Sequence, residues 1–249
     1  MPVHASLHGE IEVLSIEHGK VQAIDAAFID VFEAALDGAA RSPSRAVVLT
    51  GAGKVFSAGL DLIWTAAQDR AGMEKFVDAF DAMFEKVFFF PKPIVAAING
   101  PAFAGGAVLA LACDARVFAA AQPFALNEVK LGIPFPAAAF EISRQALPRI
   151  AWEEAMIAGA TFPAERCRDL GLGKVTNREG VVVEAIAVAK HLAAGSASAI
   201  AAVKADLAAP VKERIGRDRA GRRARFLDHW FAPETRRLIE ARLAEKTRR

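Results

Sequence analysis

The sequence predicts an α/β domain ending in a purely helical tail, and three features predict it. Short apolar runs of strand length alternate with longer segments whose apolar positions recur every three or four residues. Glycine-bearing loops separate the two kinds of segment. Near Gly195 the chain turns alanine-rich and stays helical, which divides it into a body over 1–195 and a tail over 196–249.

Taken in order, Ile-Glu-Val-Leu-Ser-Ile at 11–16 alternates enough for a strand, and His18-Gly19-Lys20 turns it into a short run at 21–24. Asp25 is the expected N-cap of a helix with apolar positions Phe28, Ile29, Phe32, Ala35 and Leu36. A buried strand at 45–50 leads through a glycine-rich loop at 51–59 to a helix at about 73–89. The cycle repeats as strand 94–98, loop 99–106, helix 107–113 and strand 115–119. A short run at 124–126 and the turn Gly132-Ile133-Pro134-Phe135-Pro136 precede a helix at about 137–147. A third unit covers 152–159, Phe162-Pro163 and a strand around 174–176. In the tail, Ser196 or Ser198 caps a helix that Pro210 is expected to break, and a last helix starts after Ala232-Pro233-Glu234.

Composition excludes several classes. With 53% hydrophobic and 24% charged residues and 12 prolines, the chain is neither disordered nor collagen-like. Its cysteines, Cys113 and Cys167, lack metal-binding or redox spacing and fit a reducing compartment. A net charge of +2 gives no overall field for nucleic acid or an anionic membrane. Seven basic against two acidic residues at 212–225 form a local patch, read as a solvated helix face or an assembly surface. Between Lys92 and Asp114 lie 21 uncharged residues, enough to cross a bilayer, but Asn99-Gly100-Pro101 and Gly105-Gly106 break such a helix. No basic segment followed by an apolar one opens the chain, so the expected location is cytoplasmic. The absence of tyrosine excludes any mechanism with a Tyr acid or base.

Familiar site motifs fail one by one. Gly51-Ala52-Gly53 has Phe56 where a dinucleotide fingerprint needs its third glycine. Gly53-Lys54 is followed by Val55, not by the Ser or Thr of a phosphate loop, and Val55 stands where a nucleophile elbow around Ser57 needs its first glycine. His4 and His8 lie in a terminus expected to be ragged, and no metal site is expected. What remains is a pair of loops, Phe56-Ser57-Ala58-Gly59-Leu60-Asp61-Leu62 and Asn99-Gly100-Pro101-Ala102-Phe103-Ala104-Gly105-Gly106, each after a strand. Separately they are tight turns. Together they can aim free backbone N–H groups at one point, and the second opens a helix whose N-terminus favours negative charge.

These loops, with Ala112-Cys113-Asp114-Ala115-Arg116 and Asn127-Glu128-Val129-Lys130-Leu131-Gly132-Ile133-Pro134, resemble the enoyl-CoA hydratase/isomerase (crotonase) superfamily in order and approximate spacing, from about Ile11 to Lys246. The resemblance implies a spiral of ββα units whose C-terminal helical region drives assembly into a homotrimer or a dimer of trimers. It implies that the N–H groups of Leu60 and Gly105 hold the thioester oxygen of an acyl-coenzyme A, with Glu128 as the catalytic carboxylate. Ala58, Asp61, Leu62, Val108 and Phe135 are the expected substrate contacts, with Trp64, Phe76 and Phe80 near the acyl group. Lys246 resembles a tail lysine that in relatives reaches the coenzyme phosphates of an adjacent subunit. No cofactor is implied, since coenzyme A arrives as part of the substrate.

The departures narrow the chemistry. Typical hydratases of this family carry a second glutamate where this chain has Val108, and Phe135 stands near the place of an alternative aspartate. Hydration with one carboxylate asks a single group both to orient water and to move a proton, whereas moving a double bond needs one carboxylate and an enolate hole. Glu141 is a replacement acid or, beside Arg144, a structural ion pair. The expected reaction is conversion of 3-enoyl-CoA to 2-enoyl-CoA. Hydration by Glu128 alone, thioester hydrolysis, decarboxylation, and an idle scaffold that binds a polyanion through 212–225 stay open.

Overall fold

The structure is a computed structural model describing residues 3–247, with side chains described up to Glu245. Strands β1 (Val3–His8) and β2 (Ile11–Ile16) form an antiparallel hairpin, and then the chain winds as a spiral. Its first turn adds β3 (Ala23–Ile24) and α1 (Ala26–Arg41), and its second adds β4 (Ala46–Gly51), β5 (Gly59–Leu60), α2 (Leu62–Ala66) and α3 (Arg70–Phe88). The third comprises β6 (Ile94–Ile98), β7 (Ala102–Phe103) and α4 (Gly105–Ala112). The fourth comprises β8 (Ala115–Ala119), β9 (Pro123–Ala125), the 3-10 turn Glu128–Leu131 and α5 (Ala137–Ala146). After β10 (Thr161–Pro163), α6 (Ala164–Asp169), β11 (Lys174–Thr176) and α7 (Val181–Leu192), the tail is α8 (Ala197–Trp230) and α9 (Pro233–Thr247).

Each turn thus gives one longer strand to a six-stranded sheet and one short strand to a second layer. The large sheet runs β1-β2-β4-β6-β8-β11, parallel except at β1, and the short strands pair as β3-β5 and β10-β9-β7. The inner strands β4 and β6 are covered on both faces, which is why they read as unbroken apolar runs. Val13, Val48, Val95 and Val117 face α7, while Leu14, Leu49, Ala96 and Phe118 face the main core with α1, α3 and α4. The expected α/β class and ββα spiral are present, with the Asp25 carboxylate accepting from Phe28 N–H at 2.7 Å as the cap of α1.

Three expectations need correction. Residues 3–8 are not ragged: they form β1, an edge strand that is exposed after Val3 and so carries no apolar alternation. Pro210 does not break α8, because it sits on an exposed face where the carbonyl it frees meets water. The bend falls at Asp218 (φ −123°, ψ 15°), whose carboxylate takes Arg222 and Arg225. The basic stretch at 212–225 is not a free cationic face either. Arg219 pairs with Glu85 at 2.6 Å, Arg223 with Asp78 at 2.6 Å and Arg214 with Glu141 at 2.8 Å, tying α8 to α3 and α5. Among the described residues no single helix is long and apolar enough to cross a membrane, and 92–114 folds as β6, a loop and α4.

Candidate active site

The two glycine-bearing loops are joined through their backbones. Phe56 N–H donates to Pro101 O at 3.1 Å, Phe103 N–H donates to Ser57 O at 3.0 Å, and Ser57 bridges Ala102 in parallel. Side chains fasten the first loop: Asn99 Nδ2 donates to Gly51 O at 2.7 Å, and Gln22 Nε2 donates to Ala52 O at 2.6 Å and Val55 O at 3.0 Å. Ser57 Oγ donates to Gln22 O at 2.7 Å and accepts from Gly59 N–H at 3.2 Å.

This closeness demands glycine at Gly59 and Gly105. Gly59 has φ +79°, and a Cβ there would stand 2.6 Å from Phe103 O and 2.9 Å from Gly105 N. A Cβ on Gly105 would stand 2.7 Å from Phe80 Cζ. The peptide bearing Leu60 therefore lies beside the one bearing Gly105. In β5 the Asp61 N–H donates to Ile24 O across to β3, and amides alternate in direction along a strand, so the Leu60 N–H points away from β3. Gly105 is the first residue of α4, where backbone N–H groups have no partner within the helix, and Ala104 contributes no side-chain cap. Ala104 itself is strained at φ 48°, ψ −124°, a conformation costing a non-glycine residue about 1–3 kcal/mol.

Leu60 and Gly105 line one cavity of about 320 Å³ together with Glu128. Glu128 starts the 3-10 turn that Gly132 closes with φ 73°, and Glu128 O accepts from Ile133 N–H at 3.2 Å. The residue as a whole is half-buried, yet its Oε2 is sealed from solvent and has no hydrogen-bond partner. Burial pushes its carboxyl up to about 8 from an ordinary 4.5. Among the described residues it is the only carboxylate lining the cavity, whose other polar side chains are Asn127 and Arg242.

The remaining expected residues divide. Ala58, Leu62 and Val108 line the cavity, and fully buried Val108, one turn into α4, puts an apolar wall where a second acid would stand. Asp61 does not line it: its carboxylate caps α2, accepting from Ile63 N–H at 2.9 Å and Trp64 N–H at 3.0 Å. Phe135 also turns away, into the core with its ring 6.5 Å from Phe140, although Pro134 and Pro136 beside it line the cavity. Of the aromatic group Phe80 alone reaches the cavity, while Trp64 and Phe76 pack behind it. Glu141 is no replacement acid, because it is buried among Arg144, Arg214 and Arg222 and lies outside the lining. The Lys246 side chain lies outside the described residues.

Sequence reasoning missed Gln22, Phe226, Arg242 and Asp81. Phe226 from α8 and Arg242 from α9 bring the tail to the cavity, and only tertiary packing reveals that. Asp81 is a buried carboxylate within an amphipathic helix, where a single polar residue breaking the apolar face was the available signal. Among the described residues no group of three His, Cys, Asp or Glu side chains is placed to hold a metal ion. What the site offers is two adjacent backbone donors, a helix N-terminus and a desolvated acid in an apolar chamber.

The family model described as enoyl-CoA hydratase/isomerase matches residues 9–248. A Thermus thermophilus protein provisionally named enoyl-CoA hydratase is 40% identical over 164 residues, 64% of this chain and 63% of that protein, so the matched stretch spans under two thirds of that relative. The apo structure of a Mycobacterium tuberculosis protein, described there as an enoyl-CoA isomerase and in another structure of the same protein as a probable enoyl-CoA hydratase, is 33% identical, with a TM-score of 0.84 over 90% of this chain and 99% of that one. Human mitochondrial delta3-delta2-enoyl-CoA isomerase, 24% identical with a TM-score of 0.92 over 100% of this chain and 99% of its own, shares the fold. With the family model covering nearly its whole length and the crotonase fold complete, this chain belongs to the enoyl-CoA hydratase/isomerase family.

Proposed function

We propose that this protein moves a double bond in an acyl-CoA thioester, from 3-enoyl to 2-enoyl, with Glu128 as its single acid and base. The carrying observation is the lone carboxyl of the cavity shared with Leu60 and Gly105, with its Oε2 sealed and unpartnered. The thioester oxygen accepts from the Leu60 and Gly105 N–H groups, each such donor contributing about 3 kcal/mol as charge develops. Ionised Glu128 takes a proton from C2, and the C2–H electron pair forms C1=C2 while the carbonyl pair moves onto the thioester oxygen, giving a dienolate with C3=C4 intact. As the carbonyl re-forms, the C1=C2 pair shifts to C2=C3 and the C3=C4 pair takes a proton at C4. The same carboxyl supplies that proton. Atoms and electrons balance with no further reactant. A group raised to about 8 is a better base than an ordinary carboxylate when ionised and a competent acid once it holds the proton.

Hydration of a 2-enoyl-CoA is the second reading, favoured by the name of the Thermus relative. Against it stands buried Val108, which leaves water with one carboxylate to serve it. Incubation with 3-enoyl-CoA and with 2-enoyl-CoA in deuterated water, followed by mass spectrometry, separates the two. The isomerase reading expects interconversion of the two enoyl thioesters with deuterium entering at C2 or C4, and loss of both in Glu128→Gln. Accumulation of 3-hydroxyacyl-CoA from 2-enoyl-CoA, with 3-enoyl-CoA left unchanged, would establish hydration instead.

A further inference from the structure

The helix behind the cavity carries two adjacent residues that hold different walls. On α3, Phe80 lines the cavity and its ring backs Gly105 so closely that a Cβ there would be 2.7 Å away. Asp81, 3% exposed, reaches instead to α5, where its Oδ1 accepts from Ala138 N–H at 3.1 Å and Ala139 N–H at 3.3 Å. Those amides are unpaired donors of the first turn of α5, and Pro136 at its N-cap offers no side-chain acceptor. Pro136 and Ala139 themselves line the cavity. One turn of α3 therefore fixes both the donor Gly105 and the start of α5.

An ordinary cap would come from residue 136 itself, a Ser or Asp half in the helix. Here the acceptor comes from another helix and is buried, and desolvation raises its carboxyl to about 6, opposed by the two amides and by Arg219. Arg219 is itself bound to Glu85 at 2.6 Å, so the amides of α5 are the direct hydrogen-bond partners of Asp81. A cap inside α5 would satisfy the same amides without coupling them to Phe80. The coupling is what the buried arrangement adds.

We propose that Asp81 is a positioning residue that sets acyl-group selectivity, by locking the α5 wall of the cavity at a fixed separation from the Gly105 donor. This rests on the cavity being an acyl-thioester site. The test measures dissociation constants of butanoyl-CoA and decanoyl-CoA, saturated thioesters that cannot isomerise, by calorimetry with the whole chain, alongside thermal melting. Asp81→Ala is expected to change the ratio of the two constants about tenfold, the equivalent of one buried hydrogen bond, while Asp81→Asn, which keeps an acceptor, holds it within about twofold. Asp81→Glu keeps the carboxylate but pushes the wall by one methylene, and is expected to shift the ratio toward the longer thioester even if the alanine variant fails to fold. Lowered melting with an unchanged ratio in the alanine and glutamate variants would overturn the proposal, reducing Asp81 to a helix cap. Wild-type protein that binds neither thioester would overturn the acyl-site reading, and this proposal with it. Wild-type protein that binds both but isomerises nothing would leave the Asp81 ratio as the deciding result.

Discussion

At the scale of a residue, Glu128 trades stability for reactivity. Its folded-state carboxyl lies near 8 against an ordinary 4.5, so the folded chain holds this proton more tightly than the unfolded chain does. Its contribution to stability is therefore full below about 4.5 and is lost as pH rises through about 8. Glu128→Gln, which cannot ionise, is expected to unfold at higher urea than wild type at pH 9, with the gap closing toward pH 5. The same variant is expected to lose about a thousandfold in kcat, within the range of general acid–base contributions. In the wild type, kcat/KM for 3-enoyl-CoA is expected to rise about tenfold per pH unit up to about 8 and then level. A profile flat from pH 6 to 9 would show that the ionised form of this group does not limit the reaction.

At the scale of an element, catalytic geometry is set by two loops that lean on each other. Gly59→Ala places a methyl 2.6 Å from Phe103 O at a backbone φ of +79° and must part the loops. It is expected to lower kcat about a hundredfold or more, the loss for a displaced oxyanion donor, with near-wild-type far-ultraviolet circular dichroism. These loops were legible in the sequence because glycines after strands announce tight backbone. The strand at 94–98 and the cap at Asp25 were legible through apolar runs and capping chemistry. Asp61 was misread because an aspartate two residues past a glycine fits a substrate contact and a helix cap equally well, and only its bonds to Ile63 and Trp64 decide. Phe135 sits between two prolines in irregular chain, where no period fixes which way a side chain turns. Gln22 left no local signal, being a lone amide at φ 49° that acts on residues 30 and 33 positions away.

At the scale of the molecule, the tail is part of the site. Thr235 Oγ1 donates to Gly132 O at 3.2 Å and Arg236 donates to Ala66 O at 3.1 Å, so α9 lies on the turn that carries Glu128 and on α2. A chain ending at Ala232 is expected to let water reach the Glu128 carboxyl, moving the kcat/KM inflection from about 8 toward acid pH. An inflection that stays in place would show that α9 does not desolvate the acid. Further back, Glu141 is buried among three arginines from α5 and α8. Glu141→Ala leaves those charges facing one another, and is expected to cost about 3 kcal/mol and to lower the melting temperature by roughly 6–12 °C. The ion pair of Glu141 with Arg144 was legible in the sequence, but its pairing with Arg214 and Arg222 and the contacts of α9 were not, since the arginine-rich segments look like solvated helix faces until their carboxylate partners are placed opposite them.

The most direct test of the account is a crystal structure of the protein with a saturated acyl-CoA. The expected result places the thioester oxygen about 3 Å from both Leu60 N and Gly105 N, with C2 about 3–3.5 Å from the Glu128 carboxyl. A thioester oxygen that touches neither amide, or a Glu128 carboxyl turned out to solvent beside the bound ligand, would contradict it.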